Sequence, residues 1–314
     1  MSKRKKQEPP SHAPQVTAID PLGLHILDKF TSRDLDVWNA ASKDIDQLQS
    51  ILYFGVRPTR MRKKDELIAA LNKGQHKPFA FSDWHRIVDY KYSNAPLSVV
   101  GSIKSYGGRF NIGKDVDQSI HRPFPALYLG DNYQTAYRER YQISSQDSSA
   151  SGLTPEEMSL CKSATTVRVN GNIERILDIS NLITLGPFCS VIAKIKMPPM
   201  AIKLAQKLKA GHRDVYMIKT PLQLSKALQD QNWRAAPVQF GIPSISQQFS
   251  ELAREAGYEG ILYRSTKNPN GRCLALFSDS IGSDRTFVEL ADAAPPSVKY
   301  KRLDLSTADY LARD

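Results

Sequence analysis

The stretch from Gly107 to Tyr141 constrains the fold more than any other part of the sequence, because it compresses a glycine pair, an apolar strand and a helix into one short unit. Arg109 follows the two glycines, Tyr128 lies within the strand, and Glu139 lies on the helix eleven residues later. An arginine beside glycines can hold a pyrophosphate at close backbone approach. A carboxylate at that spacing can face a developing sugar cation. The grouping favours a nucleotide enzyme over a scaffold.

Further landmarks occur in order on both sides of this unit. They are Trp84-His85-Arg86, Gly107-Gly108-Arg109-Phe110, Pro125-Ala126-Leu127-Tyr128-Leu129, Gln134-Thr135-Ala136 leading to Glu139, the helix and strand 253–265 ending in Ser265, the turn 268–271 and the strand 274–277. This series resembles the RES domain, a family named for an arginine, a glutamate and a serine, over about residues 80–290. Phe110 is a departure, because the family has tryptophan there.

The resemblance implies an α+β fold with a mixed, mostly antiparallel sheet and surrounding helices, similar to that of ADP-ribosyltransferases. It also implies an enzyme that consumes NAD by cleaving the bond between nicotinamide and ribose, through hydrolysis or phosphorolysis. NAD is then the substrate, and no separate cofactor is expected. Such a cleavage passes through an oxocarbenium-like transition state, which one carboxylate can stabilise.

The resemblance assigns roles to five residues. Glu139 and Arg109 are the catalytic candidates, and Arg86, Tyr128 and Ser265 are the substrate-binding candidates. Guanidinium groups match phosphate oxygens and stay charged, while a serine hydroxyl can reach ribose or a carboxamide. No metal site is expected, since none of the histidines falls in a metal-ligand spacing.

Each assignment has a structural alternative. Glu139 could be a surface glutamate paired with Arg138 or Arg140, and either candidate arginine could form a surface ion pair. Tyr128 could be ordinary strand core. Ser265 could serve a turn. His85, beside Arg86, is interpreted as structural.

Members of the RES family commonly sit beside a DNA-binding antitoxin that blocks the pocket. The resemblance therefore implies a toxin or effector with an antitoxin or inhibitor protein as partner. Two other functions remain open. One is ADP-ribosyl transfer to a macromolecule, which the same bond cleavage allows when water is excluded. The other is a non-catalytic module that binds nucleotides or nucleic acid.

Composition indicates a globular protein, because 41% of the 314 residues are hydrophobic, enough for one large domain or two smaller ones. No apolar run approaches the roughly eighteen residues of a membrane helix, and the basic N-terminus lacks a following apolar segment. We therefore expect a cytoplasmic protein without membrane contact. The three cysteines are widely spaced and predict neither disulfides nor a metal site.

The net charge of +11 indicates attraction to polyanions. A local excess of basic residues, Arg57–Lys64, links two predicted N-terminal helices, so nucleic acid is a possible partner of this region. A solvated basic surface, with the helices packed against the main domain, is the alternative.

The chain divides into four predicted parts: a disordered basic tail (1–18), a helical N-terminal unit (19–76), the RES-like catalytic domain (80–290) and a C-terminal extension (291–314). One N-terminal helix is predicted from Thr31-Ser32 through Leu52, on the spacing of its apolar residues. The other is predicted over Lys64–Leu71 and closed by Gly74.

Three other segments have distinct sequence patterns. Asn170-Gly171 between two β-prone runs predicts a tight hairpin. Residues 144–152 are small and polar and predict a loop. The Lys-rich stretch 195–239 is interpreted as an insertion relative to a minimal RES domain, with a helix on the spacing of Ile202, Ala205 and Leu208.

Overall fold

The computed structural model describes residues 32–74, 77–143, 163–210 and 216–313. The predicted N-terminal tail (1–18) and the predicted loop at 144–152 lie outside the described residues.

One eight-stranded sheet organises the described residues, with strand order β10-β9-β5-β1-β4-β8-β7-β6. Only β6 and β7 pair in parallel, and the other neighbours are antiparallel. A separate two-stranded hairpin, β2 with β3, carries Arg109 between its strands. The strands are β1 (Phe79–Asp89), β2 (Gly107–Gly108), β3 (Asn111–Ile112), β4 (Ala126–Gly130), β5 (Ala164–Ile173), β6 (Ile176–Asp178), β7 (Gly260–Arg264), β8 (Arg272–Phe277), β9 (Phe287–Leu290) and β10 (Arg302–Leu303).

Helices precede the sheet and cover it. They are α1 (Ser32–Ser50), α2 (Arg57–Arg62), α3 (Lys64–Leu71), α4 (Tyr133–Tyr141), α5 (Leu182–Ile192), α6 (Pro199–Lys207), α7 (Pro221–Leu228), α8 (Ala235–Phe240), α9 (Ile245–Glu255) and α10 (Ala308–Leu311). The predicted α+β class with a mixed, mostly antiparallel sheet is confirmed. Among the described helices, none is long and apolar enough to cross a membrane.

Both faces of the central strands are buried, and side chains alternate between two cores as strand geometry requires. On β8, Cys273, Ala275 and Phe277 join one core, which α3, α5, α7 and α9 cover. Leu274 and Leu276 join the other core, together with β1, β5, β9 and the C-terminal residues through Leu311. This double burial explains why the central strands read as continuous apolar runs.

The predicted hairpin at Asn170-Gly171 is wrong. These residues lie inside β5, which continues to Ile173 and pairs with both β1 and β9. A Cβ at Gly171 would lie 2.6 Å from the Phe81 ring and 2.5 Å from the carbonyl oxygen of Phe287. Glycine is therefore needed for close packing between strands, not for a turn.

The N-terminal helices pack on the sheet domain. Helix α3 has the predicted bounds, and the basic connection before it is itself helical, as α2. Leu67 and Leu71 of α3 are buried in the core that α9 also covers. A π-helical turn (Ile51–Gly55) carries Tyr53, whose hydroxyl lies 2.5 Å from His121 Nε2. His121 Nδ1 in turn lies 2.9 Å from Glu251 of α9.

Glu259 joins the start of β7 to two other segments. Its side chain is 2% exposed and accepts hydrogen bonds from the backbone nitrogens of Arg175 (3.1 Å) and Gly282 (3.0 Å) and from Thr286 Oγ1 (2.5 Å). A buried carboxylate is tolerated when several donors satisfy it.

Replacing Glu259 by alanine is expected to lower the free energy of unfolding by about 3 kcal/mol, because it leaves these buried donors unpaired. We expect the midpoint of thermal unfolding, followed by circular dichroism, to fall by more than about 5 °C. The control is Glu289→Ala, since Glu289 is 40% exposed and pairs with Arg302 on the surface. Equal midpoints for both variants would contradict the structural role of Glu259.

Candidate active site

A cavity of about 430 Å³ opens beside the Arg109 hairpin. Its walls come from β1, β4 and α4, from the hairpin itself, and from Trp233 and Arg234 just before α8. Tyr263 of β7 and Cys273 of β8 complete the lining. Four of the five candidate residues line this cavity: Arg86, Arg109, Tyr128 and Glu139.

Glu139 reaches the cavity because α4 starts directly after β4. Asn132 caps the helix by accepting a hydrogen bond from the Thr135 nitrogen at 2.8 Å. At the other end of α4, Glu139 Oε1 accepts hydrogen bonds from Ser265 Oγ at 2.6 Å and from the Thr266 nitrogen at 2.9 Å. Arg140, one of the alternative surface partners, pairs instead with Asp89. The carboxylate is thus oriented by the loop after β7.

Ser265 does not line the cavity but forms a hydrogen bond to Glu139, which does. Its hydroxyl donates to Glu139 and accepts from the backbone nitrogens of Lys267 (3.1 Å) and Asn268 (2.9 Å). The residue therefore combines the turn chemistry given as its alternative with control of the candidate catalytic carboxylate.

The loop that carries Ser265 is fixed to α4 at a second point. Asn268 Nδ2 donates to Thr135 Oγ1 at 2.8 Å. A Cβ at Gly271 would lie 2.4 Å from the same Thr135 oxygen. A larger residue at position 271 would force Thr135 or the loop to shift and would disturb the contact between Asn268 and Thr135.

Arg109 is only 5% exposed, although it lines the cavity. Its guanidinium donates to the carbonyl oxygen of Asp230 at 2.5 Å and to Thr266 Oγ1 at 3.2 Å. Thr266 therefore links both catalytic candidates, because its backbone nitrogen binds Glu139 and its hydroxyl binds Arg109.

Tyr128 fixes the hairpin that carries Arg109. Its hydroxyl donates to Asn111 Oδ1 at 2.8 Å and accepts from the Phe110 nitrogen at 3.0 Å. Burial raises the pKa of Tyr128, so the hydroxyl remains protonated. A Cβ at Gly108 would lie 2.4 Å from this hydroxyl oxygen. The glycine, expected from the sequence to make room for a ligand, makes room for Tyr128.

A glutamine from α9 holds the same hairpin from the other side. Gln247 is fully buried, and its Nε2 lies 2.8 Å from the Tyr106 carbonyl oxygen and 3.0 Å from those of Gly108 and Asn111. Sequence reasoning missed Gln247, since nothing in a helical glutamine indicates which distant carbonyls it will meet.

The guanidinium of Arg86 donates hydrogen bonds to backbone carbonyl oxygens. It bonds the carbonyl oxygens of Pro96 (2.7 Å), Ser98 (2.6 Å) and Tyr128 (3.4 Å). Burial lowers the pKa of Arg86 to about 9, and the charge of Arg140 adds to the effect. The group is still cationic at neutral pH, and it ties the segment after β1 to β4.

Arg234 was not predicted from the sequence as a site residue. It lies in the stretch 195–239, lines the cavity, and donates to Gln142 Oε1 at 2.9 Å. Its guanidinium lies 4.6 Å from the ring centroid of Trp233. No sequence motif could have indicated this residue, because its partner Gln142 lies more than ninety residues away in the sequence. The turn before α8 brings the two side chains together.

The two lining side chains from β7 and β8, Tyr263 and Cys273, are neutral. Burial raises the pKa of both Tyr263 and Cys273, so neither contributes a charge at neutral pH. Within the described residues, no group of three or more His, Cys, Asp or Glu side chains could hold a metal ion. The arrangement can bind an anion through guanidinium groups and present one oriented carboxylate to a cation.

The sequence model of the RES domain matches residues 83–187 and 202–295. The second segment therefore includes most of the stretch 195–239 that was interpreted as an insertion. No curated protein is detectably similar in sequence. Among solved structures, the chain is similar to one chain in the crystal structure of the M. tuberculosis MbcT-MbcA toxin-antitoxin complex. The two share 14% identity with a TM-score of 0.38, over 79% of this chain and 97% of that chain.

The matched segments contain every candidate residue of the site, from Arg86 to Ser265, and they confirm the resemblance drawn from the sequence landmarks. Because they cover more than half of the chain, the protein belongs to the RES domain family.

Proposed function

We propose that the protein consumes NAD by cleaving the bond between nicotinamide and ribose. One observation carries the proposal: the Glu139 carboxylate, held by Ser265 and Thr266, lines the same cavity as the guanidinium groups of Arg109 and Arg234, which donate to neutral acceptors. A dinucleotide that is anionic at its pyrophosphate and develops a cation at one ribose needs both features.

The proposed reaction starts with heterolysis of the glycosidic bond. The bonding electrons pass to the nicotinamide nitrogen, which loses its positive charge and leaves as neutral nicotinamide. Positive charge then develops on the ribose carbon and its ring oxygen. Glu139 would stabilise this charge through its second oxygen, Oε2.

The orientation of Glu139 supports this role. Two donors already fix Oε1 at 2.6 and 2.9 Å, so the carboxylate need not reorganise when charge develops. Ser265 Oγ donates a hydrogen bond to Glu139 and is not among the residues that line the cavity, so Ser265 would act as a positioning residue.

An oxygen nucleophile completes the reaction. Water would give ADP-ribose and release one proton, and inorganic phosphate would give ADP-ribose phosphorylated at the anomeric carbon. Glu139 can orient either acceptor by accepting a hydrogen bond from it. Arg109 would bind the substrate's pyrophosphate from the hairpin.

We further propose that the activity is toxic and that an inhibitor protein controls it. The support is membership of a family whose members commonly sit beside an antitoxin that blocks the pocket. Unrestrained loss of NAD would harm the cell that makes the enzyme, which is a reason for such a partner.

Glu139→Gln is expected to reduce NAD consumption at least about 100-fold, because the neutral amide cannot stabilise the developing cation. Purified wild type and variant should be compared with and without phosphate, and products identified by mass. The control is Glu255→Gln, a carboxylate that is paired with Lys64 on the surface. ADP-ribose from wild type would identify hydrolysis, and its phosphorylated form would identify phosphorolysis.

Two results of this experiment would count against the proposal. One is undiminished NAD loss by Glu139→Gln. The other is no NAD loss by folded wild type at any phosphate concentration, which would favour a non-catalytic module or transfer to an acceptor. Labelled ADP-ribose that appears on protein or nucleic acid would identify transfer.

Ser265→Ala is expected to lower kcat about 10- to 100-fold while KM for NAD stays within about twofold, because the serine orients Glu139 and is not in the cavity lining. Steady-state kinetics over a range of NAD concentrations measure both constants. The control is Ser306→Ala, an exposed serine near the C-terminus. A raised KM with unchanged kcat would instead support the substrate-binding role predicted from the sequence.

A further inference from the structure

Two guanidinium groups of the cavity, those of Arg109 and Arg234, donate to neutral acceptors. Arg109 bonds a carbonyl oxygen and a hydroxyl, and Arg234 bonds the amide oxygen of Gln142. In the part of the chain that the structure describes, no carboxylate forms an ion pair with either of them. Partly buried charges without a partner are costly, so an anionic ligand would complete the site.

The cavity as a whole carries surplus positive charge. Six Lys and Arg residues line it against two acidic residues, Asp89 and Glu139. Asp89 pairs with Arg140, and Glu139 is held by Ser265 and Thr266. Neither carboxylate forms an ion pair with Arg109 or Arg234 within the described residues, and the cavity lining as a whole keeps an excess of positive charge.

Arg234 is held in place before any ligand arrives. Trp233, buried at 5% exposure, packs against its guanidinium and against Tyr106, with ring centroids 6.2 Å apart. Gln142, which accepts from Arg234, also donates to the backbone carbonyl oxygen of Glu139 at 2.5 Å. A guanidinium fixed in this way loses little side-chain freedom on binding an anion.

Arg109 and Arg234 are attached to the same short segment. The carbonyl oxygen of Asp230 accepts from Arg109, and Arg234 follows four residues later. Burial lowers the pKa of Arg234, and nearby Arg109 lowers it further, while Tyr106 and Glu139 act in the opposite direction. Both side chains line the same cavity, so the two positive charges act on one another and on any ligand that binds there.

We propose that Arg234 is a second phosphate-binding arginine, which together with Arg109 holds the pyrophosphate of a dinucleotide substrate. The identity of that substrate as NAD rests on the proposed function. One guanidinium fork can bind two oxygens of a phosphoryl group. Two forks attached to one segment suit two linked phosphoryl groups. A free inorganic phosphate, arriving as acceptor, is the other source of the same chemistry.

Equilibrium binding of ADP-ribose, measured by isothermal titration calorimetry, tests the proposal without any turnover. Arg234→Gln is expected to weaken ADP-ribose about 10- to 100-fold, the range expected for losing charged hydrogen bonds, and Arg234→Lys is expected to weaken it less. Adenosine, which lacks phosphate, should bind wild type and variant equally. The matched control is Arg285→Gln, an exposed arginine paired with Glu174.

A second measurement uses only the wild-type protein. Inorganic pyrophosphate should compete with ADP-ribose and leave adenosine binding unaffected.

The proposal is overturned if Arg234→Gln binds ADP-ribose as wild type does, or if its affinity for adenosine falls in the same proportion as its affinity for ADP-ribose. It is also overturned if inorganic phosphate binding falls while ADP-ribose binding stays unchanged, since the residue would then serve the acceptor.

Kinetics separate this proposal from the proposed function. If NAD is cleaved, Arg234→Gln should raise KM at least about 10-fold with kcat within about threefold. Normal KM in an active variant would defeat the inference and leave NAD cleavage standing. Loss of ADP-ribose affinity in a protein that never cleaves NAD would support the phosphate site and defeat the proposed reaction.

Discussion

The hydrogen bond from Ser265 to Glu139 is the interaction on which the candidate site depends. It joins the end of α4, which follows β4, to the loop after β7, and in the sheet β8 lies between β4 and β7. Because Thr266 in this loop also binds Arg109, the position of the loop fixes the carboxylate and the guanidinium together. Three segments distant in sequence therefore share one anchor, and Thr135 secures it to α4 through Asn268.

The site keeps positive charge because three of its arginines, Arg86, Arg109 and Arg234, donate to neutral acceptors. Arg86 bonds carbonyl oxygens, Arg109 a carbonyl and a hydroxyl, and Arg234 an amide oxygen. Carboxylate partners would have oriented the same side chains but cancelled the attraction for an anion. Neutral partners orient the arginines and leave most of their positive electrostatic potential in the cavity. This is useful where the ligand itself supplies the negative charge.

The sequence predicted the strand around Tyr128, which is a continuous apolar run, and the helix that carries Glu139. Prediction from the sequence failed at Gly171, where the same dipeptide that makes hairpins lies inside β5 under Phe81. It also missed Gln247 and Arg234, whose partners lie about 140 and 90 residues away. Family resemblance identified residues that occupy fixed landmarks, but not whether Tyr128 or Ser265 would touch ligand or hold a neighbour.

In the free protein, the cavity holds the positive charges of Arg109 and Arg234 without a bound anion. Without an anion, the repulsion between Arg109 and Arg234 and their desolvation oppose folding. The neighbouring packing must offset this: Trp233 covers Arg234, and Gln247 with Tyr128 fixes the hairpin of Arg109. These supporting residues are neutral and largely buried, so they resist the repulsion without reducing the positive field. The rigid surroundings of the cavity thus follow from the charge that it must keep.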